Sequence, residues 1–303
     1  MDRETIITAV KNYTNIDTTE VTTVCQNHID TIQDNDICGA YDFSFLKDYS
    51  EITTAPTYTT GTVSITQDST SATGSGTSWL TATHTGRIIK FNSDSEYYEI
   101  TAIVDGTQVM TLSSAYIGDT DTDATYNMYK IYYDLPTDFK KMVWAKQIDT
   151  PDVILPLREI TTVNAYTDEF DYSGNIQAYI LSGLNSSGTP QVRFYPMQTT
   201  RKKVHICYIK KLPTINSTGA TSKIPSSVHM LFVYKLNEII FDMHSMPNRA
   251  AKEAVKFNNM LQAFIKEDKS ISRDSIDTMQ SAFLTSTMAH PVLTPSHYNN
   301  SGR

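Results

Sequence analysis

Two spacings of apolar positions alternate along the chain. Between Thr18 and Asp34, Val21, Val24, Cys25, His28, Ile29 and Ile32 recur every three or four residues, which predicts one buried face of a helix. Ile6, Ile7, Ala9 and Val10 predict a shorter helix over Arg3–Asn12. Asn35-Asp36 and Gly39 interrupt the pattern, and Tyr41-Asp-Phe-Ser-Phe-Leu46 follows as a compact aromatic anchor. Past Ala55-Pro56 the period falls to two. Val63 and Ile65 alternate with Thr and Ser, and Arg87–Phe91 is a short apolar run. Tyr98, Ile100 and Ala102 share one face, and Asp105-Gly106 is a hairpin signal before Thr107–Leu112. Tyr126–Tyr133 alternates again. Short strands at this spacing, rich in β-branched Thr, predict a small antiparallel sandwich or barrel.

Tyr133-Asp-Leu-Pro-Thr-Asp-Phe139 ends that region, and a mixed segment follows. Gln191–Tyr195 and Val204–Ile209 read as two strands flanking a loop, a short β-hairpin, and Pro213–Lys223 as a polar connector. After Pro225-Ser-Ser227, the residues Val228, Leu231, Phe232, Leu236, Ile239, Ile240 and Met243 form an apolar stripe of about four turns. Met246-Pro247-Asn248 breaks the chain. Arg249–Lys269 then sets Ala250, Ala254, Phe257, Leu261, Phe264 and Ile265 on one face. A short break between two long helices predicts an antiparallel helical hairpin, packed through Leu231, Leu236, Ile239, Ile240, Leu261 and Phe264. Beyond Ser270 the chain turns polar and reads as an extended tail, with one short helix near Asp274–Leu284 and spaced apolar residues Phe283, Leu284, Met288, Val292 and Leu293.

The expected fold class is therefore α+β. It comprises a helical-bundle core with a helical hairpin and a short β-hairpin, plus an inserted antiparallel β-sandwich or barrel. The expected domains are residues 1–54 with 134–270 for the core, 55–133 for the β insert and 271–303 for the tail.

Composition narrows the function. With 40% hydrophobic and 19% charged residues among 303, the chain is a folded, soluble type. Cys25, Cys38 and Cys207 cannot all pair with one another, which fits a reducing compartment. Met1-Asp-Arg-Glu4 opens no apolar leader, and no run reaches the ~18 apolar residues of a membrane span. The net charge of −8 is uneven: residues 1–200 hold 11 Lys and Arg against 26 Asp and Glu, whereas residues 201–303 hold 14 against 7. An acidic majority disfavours tight duplex binding, which depends on neutralising phosphates. The asymmetry fits differently solvated surfaces or, more sharply, docking of one end against an oppositely charged partner or copy.

No chemical motif is complete. Asp119-Thr-Asp121-Thr-Asp123 resembles the start of a calcium loop, but Ala124 and Lys130 occupy the glycine and bidentate-glutamate positions. Gly74-Ser-Gly76 has no following Lys-Ser/Thr, so it reads as a hairpin turn rather than a phosphate loop. The seven histidines are dispersed, Cys25 and Cys207 lie in apolar patterns, and no metal-binding helix or nucleophile-elbow motif is present. The sequons at Asn12, Asn185 and Asn216 carry little meaning without a secretion signal. No catalytic residue, metal or cofactor is expected.

The order of features carries more. A helical start and the anchor Tyr41–Leu46 precede Tyr133-Asp-Leu-Pro-Thr-Asp-Phe139. Then come Val192-Arg-Phe-Tyr-Pro196, Val204-His-Ile-Cys-Tyr208 and Ile224-Pro225 before the helical hairpin. This succession resembles the head-to-tail connector, or adaptor, proteins of tailed bacteriophages. Gly61–Ile65, Gly74–Trp79, Gly86–Phe91 and Tyr97–Thr101 resemble the small β modules of phage structural proteins. The resemblance implies a non-enzymatic virion protein at the neck, assembled in the host cytoplasm. It implies a homo-oligomeric ring of twelve copies, with portal above, a tail or nozzle protein below, DNA passing without specific binding, and no membrane. It implies that the tail docks onto portal, here through Phe283, Leu284, Met288, Pro291, Val292 and Leu293. Two other classes remain open: a carbohydrate- or receptor-binding tail protein reading through Trp79, Tyr97 and Tyr98 of the β module, and a Cys/His hydrolase.

Overall fold

The computed structural model describes residues 2–16, 18–150, 153–160, 174–217 and 219–287. Among these it has five α-helices: α1 (Arg3–Thr14), α2 (Thr18–Thr31), the one-turn α3 (Thr81–His84), α4 (Met230–Met243) and α5 (Pro247–Thr287). It also has two seven-stranded sheets. The expectation of a helical-bundle core with a small β insert is thereby overturned, since β-structure dominates. The chain divides into two compact units, one of residues up to Leu46 with Leu212 onward, the other Lys47–Lys211.

The first unit is helical. Asp2 caps α1, its carboxylate accepting from the Thr5 N–H at 2.8 Å and from the Thr5 hydroxyl at 2.5 Å. Asn15 ends α1 in the left-handed region at φ 54°. Ile6, Ile7 and Val10 of α1 and Val21, Val24, Cys25 and Ile29 of α2 are buried. α2 passes directly into a π-helical turn, Ile32–Ile37. α4 packs against α1, α2 and α5. Where an extended tail was expected from residue 271, the helix continues through Thr287.

The strands of the second unit are β1 (Lys47–Thr53), β2 (Thr62–Ile65), β3 (Ser71–Ser75), β4 (Ile88–Phe91), β5 (Tyr98–Val104), β6 (Val109–Leu112), β7 (Asp121–Ala124), β8 (Tyr126–Tyr129), β9 (Tyr133–Asp134), β10 (Phe139–Thr150), β11 (Val153–Glu159), β12 (Ala178–Leu184), β13 (Pro190–Tyr195) and β14 (Lys203–Lys210). The first sheet runs β1-β14-β10-β11-β12-β13-β9 and curves as a half-barrel. It is antiparallel except for the parallel β11–β12 pair. Its core holds Tyr133, Phe139, Met142, Val192, Phe194, Val204, Ile206 and Tyr208.

Three expectations fail in this sheet. Lys47–Thr53, read as part of a mostly helical start, is an edge strand on which Ile52 alone is buried. The mixed segment opens in a twelve-residue strand that begins at Phe139 itself. The hairpin across residues 191–209 does not form: β13 pairs with β12 and β9, while β14 pairs with β1 and β10.

The second sheet runs β7-β2-β3-β6-β5-β4-β8. Its two outer strands, β7 and β8, are separated by the single residue Thr125, so the sheet curls back almost into a barrel. β5 and β6 pair across the turn Asp105–Gln108. Trp79, Phe91, Tyr116, Tyr126, Ile65 and Ile100 fill the interior. Gly61 requires its lack of a side chain: its φ is +82°, and a Cβ there would sit 2.4 Å from the Ser75 carbonyl oxygen.

Candidate functional site

The most distinctive surface of the helical unit is the α4–α5 hairpin. Pro225 precedes a 3₁₀ turn, Ser226–Val228, that leads into α4. Leu231, Phe232, Val233, Leu236, Ile240 and Phe241 of α4 are buried. The turn is built on Ser245 at φ 56°, with the Met246 N–H donating to the Phe241 carbonyl at 2.8 Å. Pro247 then opens α5, where its missing N–H costs nothing. Phe257, Leu261, Phe264 and Ile265 return the packing from α5.

Charged groups fasten this hairpin. His244 lies 3.3 Å from Glu20, and Lys235 lies 3.2 Å from Glu238 and 5.5 Å from the centre of the Phe257 ring. Lys256 donates to Glu253 at 2.6 Å and to the Tyr13 hydroxyl at 2.5 Å, which raises its pKa. The aromatic anchor docks on α5: Phe43 stacks on Phe264 with centroids 4.6 Å apart, and Phe45 lies 6.0 Å from Phe264.

Of the hairpin residues expected from sequence, Leu231, Leu236, Ile240, Leu261 and Phe264 are buried. Ile239 is half-buried and lines an open cleft of about 420 Å³ with Met243, Pro247, Ala250, Ala251 and Ala254, and with the acidic Glu238 and Asp242. Met243, Met246 and Val255 are exposed around this end of the hairpin. Phe283 and Leu284 belong to the last turns of α5. Met288, Pro291, Val292 and Leu293 lie outside the described residues.

The hairpin arms are unequal. At 1.5 Å per residue, the 14-residue α4 spans about 21 Å and the 41-residue α5 about 60 Å. α4 can flank only the first third of α5.

Candidate reactive groups have structural duties. Cys25 is buried, and burial pushes its thiol up to about 12. Burial also raises the Cys207 thiol, so neither is a thiolate nucleophile near neutral pH. His84 Nδ1 accepts the Leu80 N–H at 3.0 Å, and burial, then the Arg87 charge, lowers its pKa. His229 Nε2 donates to the Ile224 carbonyl at 2.7 Å. Asp121 accepts the Asp123 N–H at 2.9 Å, and Asp123 accepts the Thr62 hydroxyl at 3.1 Å, so these carboxylates fasten β7. No group of three or more His, Cys, Asp or Glu that could hold a metal ion is found among the described residues. Of the aromatic residues considered for sugar binding, Trp79 and Tyr98 are core residues and Tyr97 is half-buried.

Sequence reasoning passed over two groups on this hairpin. Asn237 is fully buried on α4, and neither its Nδ2 nor its Oδ1 has a hydrogen-bond partner among the described residues. Asp268 is buried on α5 against Ser44. An amide within an apolar stripe was a readable signal for the first; nothing local announced the second.

No family model matches the chain, and no curated protein matches it.

Proposed function

We propose that the chain is a structural adaptor of a tailed-bacteriophage virion, in which copies form a ring between portal and tail around a passage for DNA. The unequal hairpin carries this reading. A subunit that works by fitting against other subunits needs a stiff element longer than its own fold can cover, and α5 outruns α4 by 27 residues. The cleft at the turn, lined by exposed Met243 with Ala250, Ala251 and Ala254, adds a second surface at the other end of the same element. Two different faces on one rigid element suit the head-to-tail contacts from which rings close. The order of sequence features supplies the resemblance to phage connectors, and the −15 net charge of residues 1–200 suits a wall past which DNA slides.

Sedimentation velocity of the full chain, with and without purified cognate portal, tests the proposal. The expected result is a portal-dependent complex, lost when residues 271–303 are deleted while the helical signal of residues 1–270 is retained. A chain that stays monomeric and indifferent to portal overturns the proposal. A truncated chain that binds portal as well as the full chain overturns the docking role of the α5 end.

A further inference from the structure

The second unit contains a polar cleft of about 410 Å³ with an unusual charge arrangement. Arg87 is 7% exposed, and its Nε donates to the Thr83 carbonyl at 2.9 Å. Arg87 is among the cleft's lining residues, and neither of its terminal nitrogens has a hydrogen-bond or carboxylate partner among the described residues. Lys130 stands beside it, half-buried, 5.2 Å from the centre of the Tyr133 ring and likewise without an ion pair among the described residues. A guanidinium largely buried without a counter-ion is costly, and the solvent-facing nitrogens of Arg87 are open to a ligand. Burial lowers the pKa of both groups; for Lys130 the Arg87 charge lowers it further, and the Asp134 carboxylate partly offsets this. The arrangement is relieved by an anion.

The rest of the lining limits which anion fits. Glu99 and Asp134 also face the cleft, so it holds two cations and two carboxylates. A polyanion such as a nucleic-acid backbone would set more charges against those carboxylates than a single negative charge at Arg87 and Lys130 would. Asp134 already accepts from Asn185 Nδ2 at 3.1 Å and Gln191 Nε2 at 2.9 Å. Each amide thus spends one of its two N–H donors on Asp134, and the carboxylate oxygens of Asp134 and Glu99 stand as acceptors in the lining. Acceptors call for hydroxyl donors, and Tyr132 supplies a ring wall.

We infer that this cleft binds a sugar acid: one carboxylate held in a bidentate fork by Arg87 with Lys130 beside it, and ring hydroxyls donating to Asp134, Glu99 and Gln191. The inference is independent of the adaptor reading, since it concerns the β-rich unit alone.

Isothermal titration calorimetry of the full chain with sodium glucuronate, glucose and inorganic phosphate tests it. Glucuronate is expected to bind, with glucose at least about tenfold weaker, as loss of a charge-assisted hydrogen bond implies, and phosphate also weaker, because it has no ring hydroxyls and sets a second charge against Glu99 and Asp134. Arg87→Gln should weaken glucuronate by a similar factor. Because Arg87 is buried and its replacement could disturb folding, Ser186→Glu serves as a second variant. Ser186 is exposed on the cleft rim, and a carboxylate there should repel the ligand without touching the core. Absence of glucuronate binding overturns the inference, as does phosphate binding more tightly than glucuronate or undiminished binding by the Ser186→Glu variant.

Discussion

The carboxylate of Asp268 accepts both the backbone N–H of Ser44, at 3.1 Å, and its hydroxyl, at 2.5 Å, across 224 residues of chain. This bond fixes the aromatic anchor onto α5, directly beside the Phe43–Phe264 stack. Asp268→Ala removes two charge-assisted bonds and strands the Ser44 N–H. It should lower the stability of the helical unit by about 2–3 kcal/mol. Asp268→Asn, which keeps an acceptor oxygen, should lose less. Urea unfolding followed by far-UV circular dichroism reads both, and an unchanged midpoint for Asp268→Ala would show that the anchor does not depend on this bond.

Asn237 predicts a change in the opposite direction. Its amide is buried with no partner for either polar atom among the described residues. Leucine has similar volume and nothing to leave unsatisfied, so Asn237→Leu should raise stability by about 1–3 kcal/mol. Asn237→Ala, which opens a void, should not. A destabilised Asn237→Leu protein would refute this account of the site.

In the β-rich unit, the Tyr126 hydroxyl sits between two groups, accepting from Trp79 Nε1 at 3.0 Å and donating to the Thr60 carbonyl at 2.6 Å. Tyr126→Phe leaves both without that partner and should cost about 1–3 kcal/mol. Trp79 is a core residue of this module, so a red shift of native tryptophan emission should accompany any loosening. An unchanged thermal midpoint contradicts the prediction.

Alkaline pH should weaken the fold below the point where the native chain ionises. Burial, aided by Asp94, pushes Tyr98 up to about 12, and burial, aided by Glu159, does the same to Tyr179. Tyr126 and Tyr208 are also raised by burial, and burial takes the Cys25 thiol to about 12. The unfolded chain releases these protons near their ordinary values of 9.0 for Cys and 10.0 for Tyr. Between about pH 9 and 12 the native state therefore binds more protons than the unfolded state, and stability falls as pH rises; below pH 9 the contribution is fully present. Urea midpoints at pH 8, 10 and 11 should decline in order, and tyrosine absorbance at 295 nm should rise later in native than in unfolded protein. A flat series would contradict this.

The helices were readable because one face of each carries the whole signal: Val21, Val24, Cys25 and Ile29 are all buried, at the spacing their period requires. Val63 and Ile65, buried on alternate positions, made the second sheet equally legible. The first sheet was hidden by its bulges. Register shifts at Phe139/Lys141 and Met142/Trp144 reset the alternation, so the buried residues Phe139, Met142 and Ala145 fall three apart and imitate a helix. β1 was missed because an edge strand with one buried side chain has almost no pattern. The Arg87 cleft was not legible at all. An arginine flanking an apolar run is ordinary in sequence, and only the fold shows that its terminal nitrogens meet no carboxylate among the described residues.

The near-closed second sheet has one more consequence, through the residues that fasten its ends. Tyr58, just before β2, and Met128, in its final strand, exchange both backbone hydrogen bonds at 3.0 Å. The chain enters and leaves this module at neighbouring points, like a bight of rope seized at its neck. A lineage could lengthen, trade or delete everything beyond that knot and hand the surrounding scaffold the same two loose ends to join.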